Sequence, residues 1–327
     1  MTEGMKFSVV IPTYNRAAHV APCLAPFLEP GAAGIEVILV DDGSKDDTAA
    51  VAEAVIARSR GAHIRYVAQA NGGPGKARNT GIGLASADWV VFLDVDDRWM
   101  PWTVAALGEA LAGAGDAAIM FLRAVRFRED ENLKDLSPAP LAVRRFRDFR
   151  EFALLPDLRE FGPWGSCNVA IRRELLQRTG GFEPSIRCSE DIDLFFRLSA
   201  SGPVLMLEAP VLLGYRTDGA DSLTGNRQRM REGMDFLSDG LARGRYPEPV
   251  APLASISERY RLLTIRTAFA QGRAGDAYAL LLPRAGFLIR QWGAGTWART
   301  ALTPLLALLK PATYHFDWPQ ALGRSRT

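Results

Sequence analysis

The chain is short of several things, and each shortage removes a class of function. Its 327 residues include three cysteines, Cys23, Cys167 and Cys188, far apart and with no CxxC pair. A zinc site built on paired cysteines is excluded, and the odd count fits reduced thiols in a cytoplasmic protein. A formal net charge of +2 leaves no basic excess to hold a polyanion, so no nucleic-acid partner is expected. No apolar run reaches the roughly 18 residues that a membrane-spanning helix needs. Met1 to Lys6 lead directly into a core strand, which reads as the absence of a cleavable leader. Repeats and low-complexity tracts are missing too. What the chain does have is apolar mass: 48% hydrophobic residues, enough to bury one large core or two modest ones.

The stretch around which the rest is organised is Asp94-Val95-Asp96-Asp97. It follows Trp89 to Leu93, an apolar run without alternation, as expected of a strand buried on both faces. Trp99, Met100 and Pro101 come next, where a helix could start with proline in its first turn. Three carboxylates at the end of a buried strand repel one another. A divalent cation offsets that cost well, since Mg²⁺ and Mn²⁺ take hard oxygen ligands and substrate phosphates. The plain alternative is a solvated acidic turn that caps the next helix. Taken alone, the four residues do not decide.

The order of the chain helps. Phe7 to Ile11, Ile35 to Val40 and Ile64 to Ala68 read as further strands, with helices over Ala17 to Leu28, Asp46 to Ser59 and a stretch carrying Lys76, Arg78 and Asn79 after Gly72-Gly73-Pro74-Gly75. Alternating strands and helices at short spacing predict a parallel sheet covered on both faces. The polar groups fall where one sheet edge would collect them: Thr13 and Tyr14, then Asp42, Lys76 and Arg78, then Asp94 and Asp96. In open α/β sheets the ligand crevice lies at that edge.

Beyond this, Ala117 to Phe127 reads as one strand. Arg144 to Phe152, arginines interleaved with phenylalanines, reads as a surface helix with one buried face, or as a grip for an anionic acceptor or membrane. A loop carrying Trp164 leads into a strand from Asn168 to Ile171. Ser189 is a candidate N-cap that puts Glu190 and Asp191 in the first turn of a helix. The acids there either complement the helix dipole or include a carboxylate kept ionised to act as a base. Val204 to Leu207 and Val211 to Tyr215 read as short strands, and the chain turns helical from about Gly225. From Arg284 to Arg326 it carries six basic residues against one acidic, Asp317, with Trp292, Trp297 and Trp318 alongside. That tail could pack on the chain's own domain, on a second subunit of a homo-oligomer, or lie as a peripheral contact on the inner face of a membrane.

Five segments in order, Val10-Ile11-Pro12-Thr13-Tyr14-Asn15-Arg16, Val40-Asp41-Asp42-Gly43-Ser44, Ala77-Arg78-Asn79-Thr80-Gly81, Phe92-Leu93-Asp94-Val95-Asp96-Asp97 and Ser189-Glu190-Asp191, resemble the family 2 glycosyltransferases of GT-A fold. The resemblance spans Phe7 to Arg216, and the Gly180-Gly181-Phe182 turn strengthens it. It implies an α/β fold, a Rossmann-like mixed sheet with a C-terminal helical extension. The GT-A domain would cover 1–222, divided into a nucleotide-binding half at 1–115 and an acceptor half at 116–222, with the helical region at 223–327. Pro12, Thr13 and Tyr14 would border the base, and Asp42 would accept a hydrogen bond from it. Asp94 would sit near the ribose, Lys76 and Arg78 near the nucleotide, and Asp96 would hold Mn²⁺ or Mg²⁺. Asp191 would be the catalytic base, with Trp164 and Glu190 shaping the acceptor site.

The implied activity is metal-dependent inverting transfer from a nucleotide-diphosphate sugar, with UDP or dTDP preferred to GDP. The acceptor would be a hydroxyl of a glycan or lipid-linked glycan in bacterial surface polysaccharide assembly. Two features depart from relatives of this kind. The QxxRW motif of processive members is missing, which implies one or a few additions. No histidine stands just after Arg216, where some GT-A enzymes supply one to the metal; only His19, His63 and His315 exist. The competing reading is a non-catalytic sugar-nucleotide or glycan-binding relative with a degenerate site, against which intact Asp96 and Asp191 argue.

Overall fold

The computed structural model describes residues 6–128, 133–155, 165–217, 227–270, 275, 277 and 278. The unalternated apolar runs of the first third form β1 (Phe7–Thr13), β2 (Ile35–Asp41), β3 (His63–Ala68) and β4 (Trp89–Phe92), joined by α1 (Ala17–Leu28), α2 (Thr48–Ile56) and α3 (Pro74–Leu84). They pair in the order β3-β2-β1-β4, every pair parallel, so their carboxyl ends share one edge. Helix α3 lies directly on β1 because Gly81 has no side chain there; a Cβ would run into Val10.

The second half departs from a parallel sheet. It contributes β5 (Arg98–Trp99), α4 (Thr103–Ala112), β6 (Ile119–Leu122), β7 (Ala124–Phe127), β8 (Ala142–Phe146), α5 (Phe149–Ala153), β9 (Val169–Arg172), α6 (Arg173–Thr179), α7 (Glu190–Arg197), β10 (Val204–Ala209) and β11 (Leu213–Arg216). Strand β9 enters antiparallel between β4 and β6, and the large sheet continues through β10 to the antiparallel edge strand β8. A small sheet, β5-β11-β7, sits apart from it in the pairing.

Three local expectations are corrected. No helix starts at Trp99: Arg98 and Trp99 pair with Gly214 and Leu213, and Met100 N donates to Leu212 O, so α4 waits until Thr103. Ala117 to Phe127 is two strands. Its break is at Arg123, whose N–H donates to Leu207 O while its carbonyl accepts from Leu212 N, so the chain changes partner from β10 to β11. Arg144 to Phe152 is strand then helix, β8 and α5, with Phe146, Phe149 and Phe152 all buried. Its arginines face acids, Arg144 with Glu208 and Arg145 with Asp116. The phenylalanines close a cluster in which Phe121 stacks on Phe152 at 4.3 Å and meets Phe195 edge-on at 5.2 Å.

By internal contacts Met1–Val250 is one compact unit and Ala251–Thr327 another. Helix α8 (Arg227–Ala242) belongs to the first, and α9 (Ala251–Ala270) to the second. Among the described residues no helix is long and apolar enough to cross a membrane. The basic tail and His315 lie outside the described residues.

The aromatic cluster ties the second half together. Phe121→Ala should cost about 3–5 kcal/mol of stability, read by chemical denaturation; a loss below about 1 kcal/mol would mean that the neighbours close over the cavity.

Candidate active site

At the end of β1, Pro12 is half-buried, Thr13 is buried with its Oγ1 unbonded among the described residues, and Tyr14 is 44% exposed. The next residue, Asn15, has φ 51°, a left-handed conformation that turns the chain sharply into α1. It is held there by Ser44 Oγ, which accepts from Asn15 N at 2.8 Å, and by Lys45 N, which donates to Asn15 Oδ1 at 2.8 Å. The loops after β1 and β2 are therefore one body.

Asp42 is buried and already busy. Its Oδ1 accepts from Gln69 Nε2 at 2.7 Å and Gly72 N at 2.8 Å, and its Oδ2 from Gly73 N at 2.7 Å. It thus anchors the glycine loop ahead of α3, where Gly73 has φ 90° and Pro74 opens the helix. A carboxylate oxygen has two acceptor positions, so these bonds leave one on Oδ2 unused. Lys76 is exposed, and its aliphatic stem lies across the space above Gly72.

After β4, Asp97 N donates to Asp94 O at 3.0 Å and closes a turn. The turn sends its acids to different places. Asp97 points inward: Oδ1 accepts from Arg216 N at 2.9 Å, and Oδ2 is buried near the Cys167 thiol with no hydrogen bond of normal geometry among the described residues. Asp96 stays partly exposed, with Arg16 and His19 near it. Asp94 is held by Arg78 at 2.7 Å. Burial first, then the neighbouring Asp94, pushes the carboxyls of both Asp96 and Asp97 above the ordinary range.

The motif in α3 divides its labour among its residues. Asn79 clamps the turn before α7, donating to Phe182 O and accepting from Phe182 N, both at 2.7 Å. Thr80 Oγ1 donates to Gln69 Oε1, and Gly81 seats the helix on Val10. Arg78, 4% exposed, sends one nitrogen to Asp94 and the other to Glu190 Oε1 at 2.9 Å. Buried, it joins the end of β4 to the start of α7.

Asp191 follows Glu190 in the first turn of α7. Its Oδ1 accepts from Ile192 N at 2.8 Å and its Oδ2 from Ser166 N at 3.3 Å, and Gly165 leaves the space beside Oδ2 clear. Burial, then the charge of Glu190, raises its carboxyl to about 7, against the pull of Arg78. Ser189 occupies the N-cap position without capping: φ is 65°, and its hydroxyl bonds no helix N–H. Trp164 lies outside the described residues.

Sequence reasoning missed three members of this neighbourhood, Cys167, Arg216 and His19, and gave Asp97 no role beyond its place in the acidic cluster. Ligand atoms of Asp94, Asp97 and Cys167 lie within 4.8 Å of one another. Hard oxygen donors suit Mg²⁺ or Mn²⁺, whereas a thiol does not. Burial and then Asp97 push the Cys167 thiol far above its ordinary range, so it stays protonated. The acids fit a divalent cation, and the buried, unbonded Oδ2 of Asp97 is an acceptor that such a charge would satisfy. His19, drawn down by burial and then by Arg216, whose guanidinium lies 3.1 Å from its Nδ1, is neutral at pH 7. The acidic doublet was a signal for Asp97; nothing nearby in sequence points to His19 or Arg216.

Comparison with known proteins bears on this geometry. The profile of glycosyl transferase family 2 matches residues 8–180, more than half of the chain, and the protein belongs to that family. Its large mixed sheet is the GT-A glycosyltransferase fold. The amylovoran biosynthesis glycosyltransferase AmsB of Erwinia amylovora is 31% identical over 65% of this chain and 70% of its own length. Matched curated glycosyltransferases are spanned over 26% to 71% of their lengths. Among solved structures, TarS of S. aureus in complex with UDP-GlcNAc aligns with a TM-score of 0.65 at 17% identity, over 96% of this chain and 94% of that one. The mannosyltransferase PcManGT of Pyrobaculum calidifontis, in complex with GDP-Man and Mn²⁺, aligns at 0.57 and 18% identity, over 95% and 82%.

Asp42→Ala removes one acceptor from three donors. Amide exchange at Gly72 and Gly73 should quicken, and stability should fall by about 1–3 kcal/mol. Unchanged exchange there would show that the loop holds itself.

Proposed function

We propose that the protein is a metal-dependent inverting glycosyltransferase. It would move a sugar from a nucleotide-diphosphate sugar to a hydroxyl of a glycan or lipid-linked glycan, in the assembly of a bacterial polysaccharide. The observation that carries this reading is the Arg78 bridge: one guanidinium reaches both the acidic turn after β4 and the Glu190-Asp191 pair. The ligands of TarS and PcManGT support a nucleotide-sugar donor, and the name of AmsB supports the polysaccharide role. We place UDP and dTDP ahead of GDP as the leaving nucleotide. Three free, buried cysteines support a cytoplasmic setting.

In this mechanism Pro12, Thr13 and Tyr14 border the base, the free acceptor position of Asp42 takes a hydrogen bond from it, and Asp94 meets the ribose. Lys76 offers a cation at the mouth of the glycine loop. Asp96, with Asp94 and Asp97 behind it, would hold Mn²⁺ or Mg²⁺, which when bound neutralises charge developing on the diphosphate. The acceptor hydroxyl attacks the anomeric carbon from the face opposite the nucleotide. As the new C–O bond forms, the bond to the diphosphate breaks with its electron pair, and Asp191 takes the hydroxyl proton. A single displacement inverts the anomeric centre. Glu190 and Trp164 would shape the acceptor side.

A base with its carboxyl near 7 is active only when deprotonated, so kcat should rise with pH through about 7 and level off above it. Glu190→Gln removes a like charge and frees Arg78 toward Asp191, so the acid limb should move to lower pH. Arg78→Gln should move it the other way. Limbs that stay in place in both variants would detach the profile from Asp191. Asp191→Asn should lower transfer by about 10²–10⁴-fold with donor affinity retained; undiminished transfer removes Asp191 from the mechanism. For the cation, Asp96→Ala should weaken donor binding and its metal dependence. Full wild-type activity in excess chelator would count against that role.

A further inference from the structure

The base needs a fixed position, and its own helix is short: α7 is eight residues long, entered through Ser189 at φ 65°. A serine in the left-handed region is strained by about 1–3 kcal/mol and persists only where its surroundings hold it. The holder is visible. Gly233 of α8 lies flush against the peptide before the catalytic turn. A Cβ on it would run into the carbonyl oxygen of Cys188 and lie 3.0 Å from both Cys188 C and Ser189 Oγ. Beside it, Met230 Sδ faces Cys188 Sγ.

The other side of α7 is held by the segment that follows α8. Asp193, two residues beyond the base, is fully buried. Its Oδ2 accepts from Arg197 Nε at 2.8 Å, and its Oδ1 accepts from Tyr246 Oη at 3.0 Å and Arg245 Nε at 3.2 Å. Arg245 also pairs with Glu183 at 2.8 Å, and Arg197 donates to the carbonyls of Thr179 and Gly181 at 2.8 and 2.7 Å. Arg150 of α5 fixes the far end of the segment through the carbonyls of Pro247 and Glu248, each at 3.0 Å. The Tyr246 ring meets Phe196 edge-on at 5.3 Å, and the lack of a side chain at Gly240 admits it against α8.

We propose that α8 and residues 243–250 form a brace that positions the catalytic turn, with Gly233, Asp193 and Tyr246 as positioning residues for Asp191. This rests on the assignment of Asp191 as base. It extends the catalytic unit past the helical boundary at residue 223 and gives α8 a task in the reaction rather than in binding the donor. Among the contacts described, the brace meets α7 and the turns before it and none of the residues assigned to the nucleotide, so its loss should act on turnover more than on donor affinity.

The test uses the full chain. Donor-binding stoichiometry and Kd are measured by calorimetry with UDP-sugars and Mn²⁺, and kcat is expressed per donor-binding site. Gly233→Ala and Tyr246→Phe should each lower kcat per site, the first by about tenfold or more, with donor Kd within about twofold, since a small misplacement of a reacting group is costly. Leu107→Ala, a fully buried core change in α4 away from the brace, serves as the stability control and should keep its kcat per site. If Gly233→Ala does not fold, Tyr246→Phe, which removes one hydroxyl, decides. Wild-type kcat per site in Tyr246→Phe and in folded Gly233→Ala, with Asp191→Asn inactive, overturns the brace alone. Undiminished transfer by Asp191→Asn overturns the base assignment, and the brace then has nothing to position.

Discussion

A buried guanidinium between two carboxylates on different parts of the chain is the interaction on which the rest depends. Arg78 is almost out of contact with water, and each of its terminal nitrogens is bonded to an acid. Taking three charges out of water is costly, and removing one partner of such a set is commonly worth about 3–5 kcal/mol because a charge is left behind unpaired. Helix α3, the end of β4 and the start of α7 therefore hold together as one arrangement. The parallel half of the sheet supplies the edge at which that arrangement forms. The antiparallel entry of β9 brings residues 165–168 alongside β4, which lets Ser166 N reach Asp191.

The same cation sets the chemistry on both sides. Toward β4 it balances an acidic turn in which burial and mutual repulsion raise the proton affinity of Asp96 and Asp97. Toward α7 it opposes burial and Glu190, leaving the Asp191 carboxyl near neutrality. A base that is too acidic accepts protons poorly, and one that is too basic is already protonated; a value close to the working pH lies between these failures. Without Arg78, burial and Glu190 would be opposed at Asp191 by the backbone N–H groups of Ile192 and Ser166.

Much of the first half could be read in advance because strands buried on both faces leave a plain trace: Phe7 to Ile11, Ile35 to Val40 and Trp89 to Leu93 are apolar without alternation, and polar turns follow each. The second half depends on partners distant in sequence. Nothing within Ala117 to Phe127 announces that Arg123 changes partner from β10 to β11, and the phenylalanines of Arg144 to Phe152 suit a helix face and a strand with a helix equally well. In the site, Arg78 joins Asp94 to Glu190, the neighbour of Asp191 in sequence. The inward turn of Asp97 was hidden because alternation says nothing about a tight turn. Ser189 looked like a cap by residue type, but it stands at φ 65° with α8 packed against it at Gly233, a contact across more than 40 residues that local propensity does not encode.

The threefold engagement of Asp42 makes it a lever as well as an anchor. A base that draws on its remaining lone pair competes with the hold on Gly72 and Gly73, and these residues begin the helix that carries Arg78. On the proposed reading, recognition at one end of the donor would thereby be joined, through a single helix, to the charge balance around Asp191. The empty and the occupied crevice would then differ at the base as well as at the sugar.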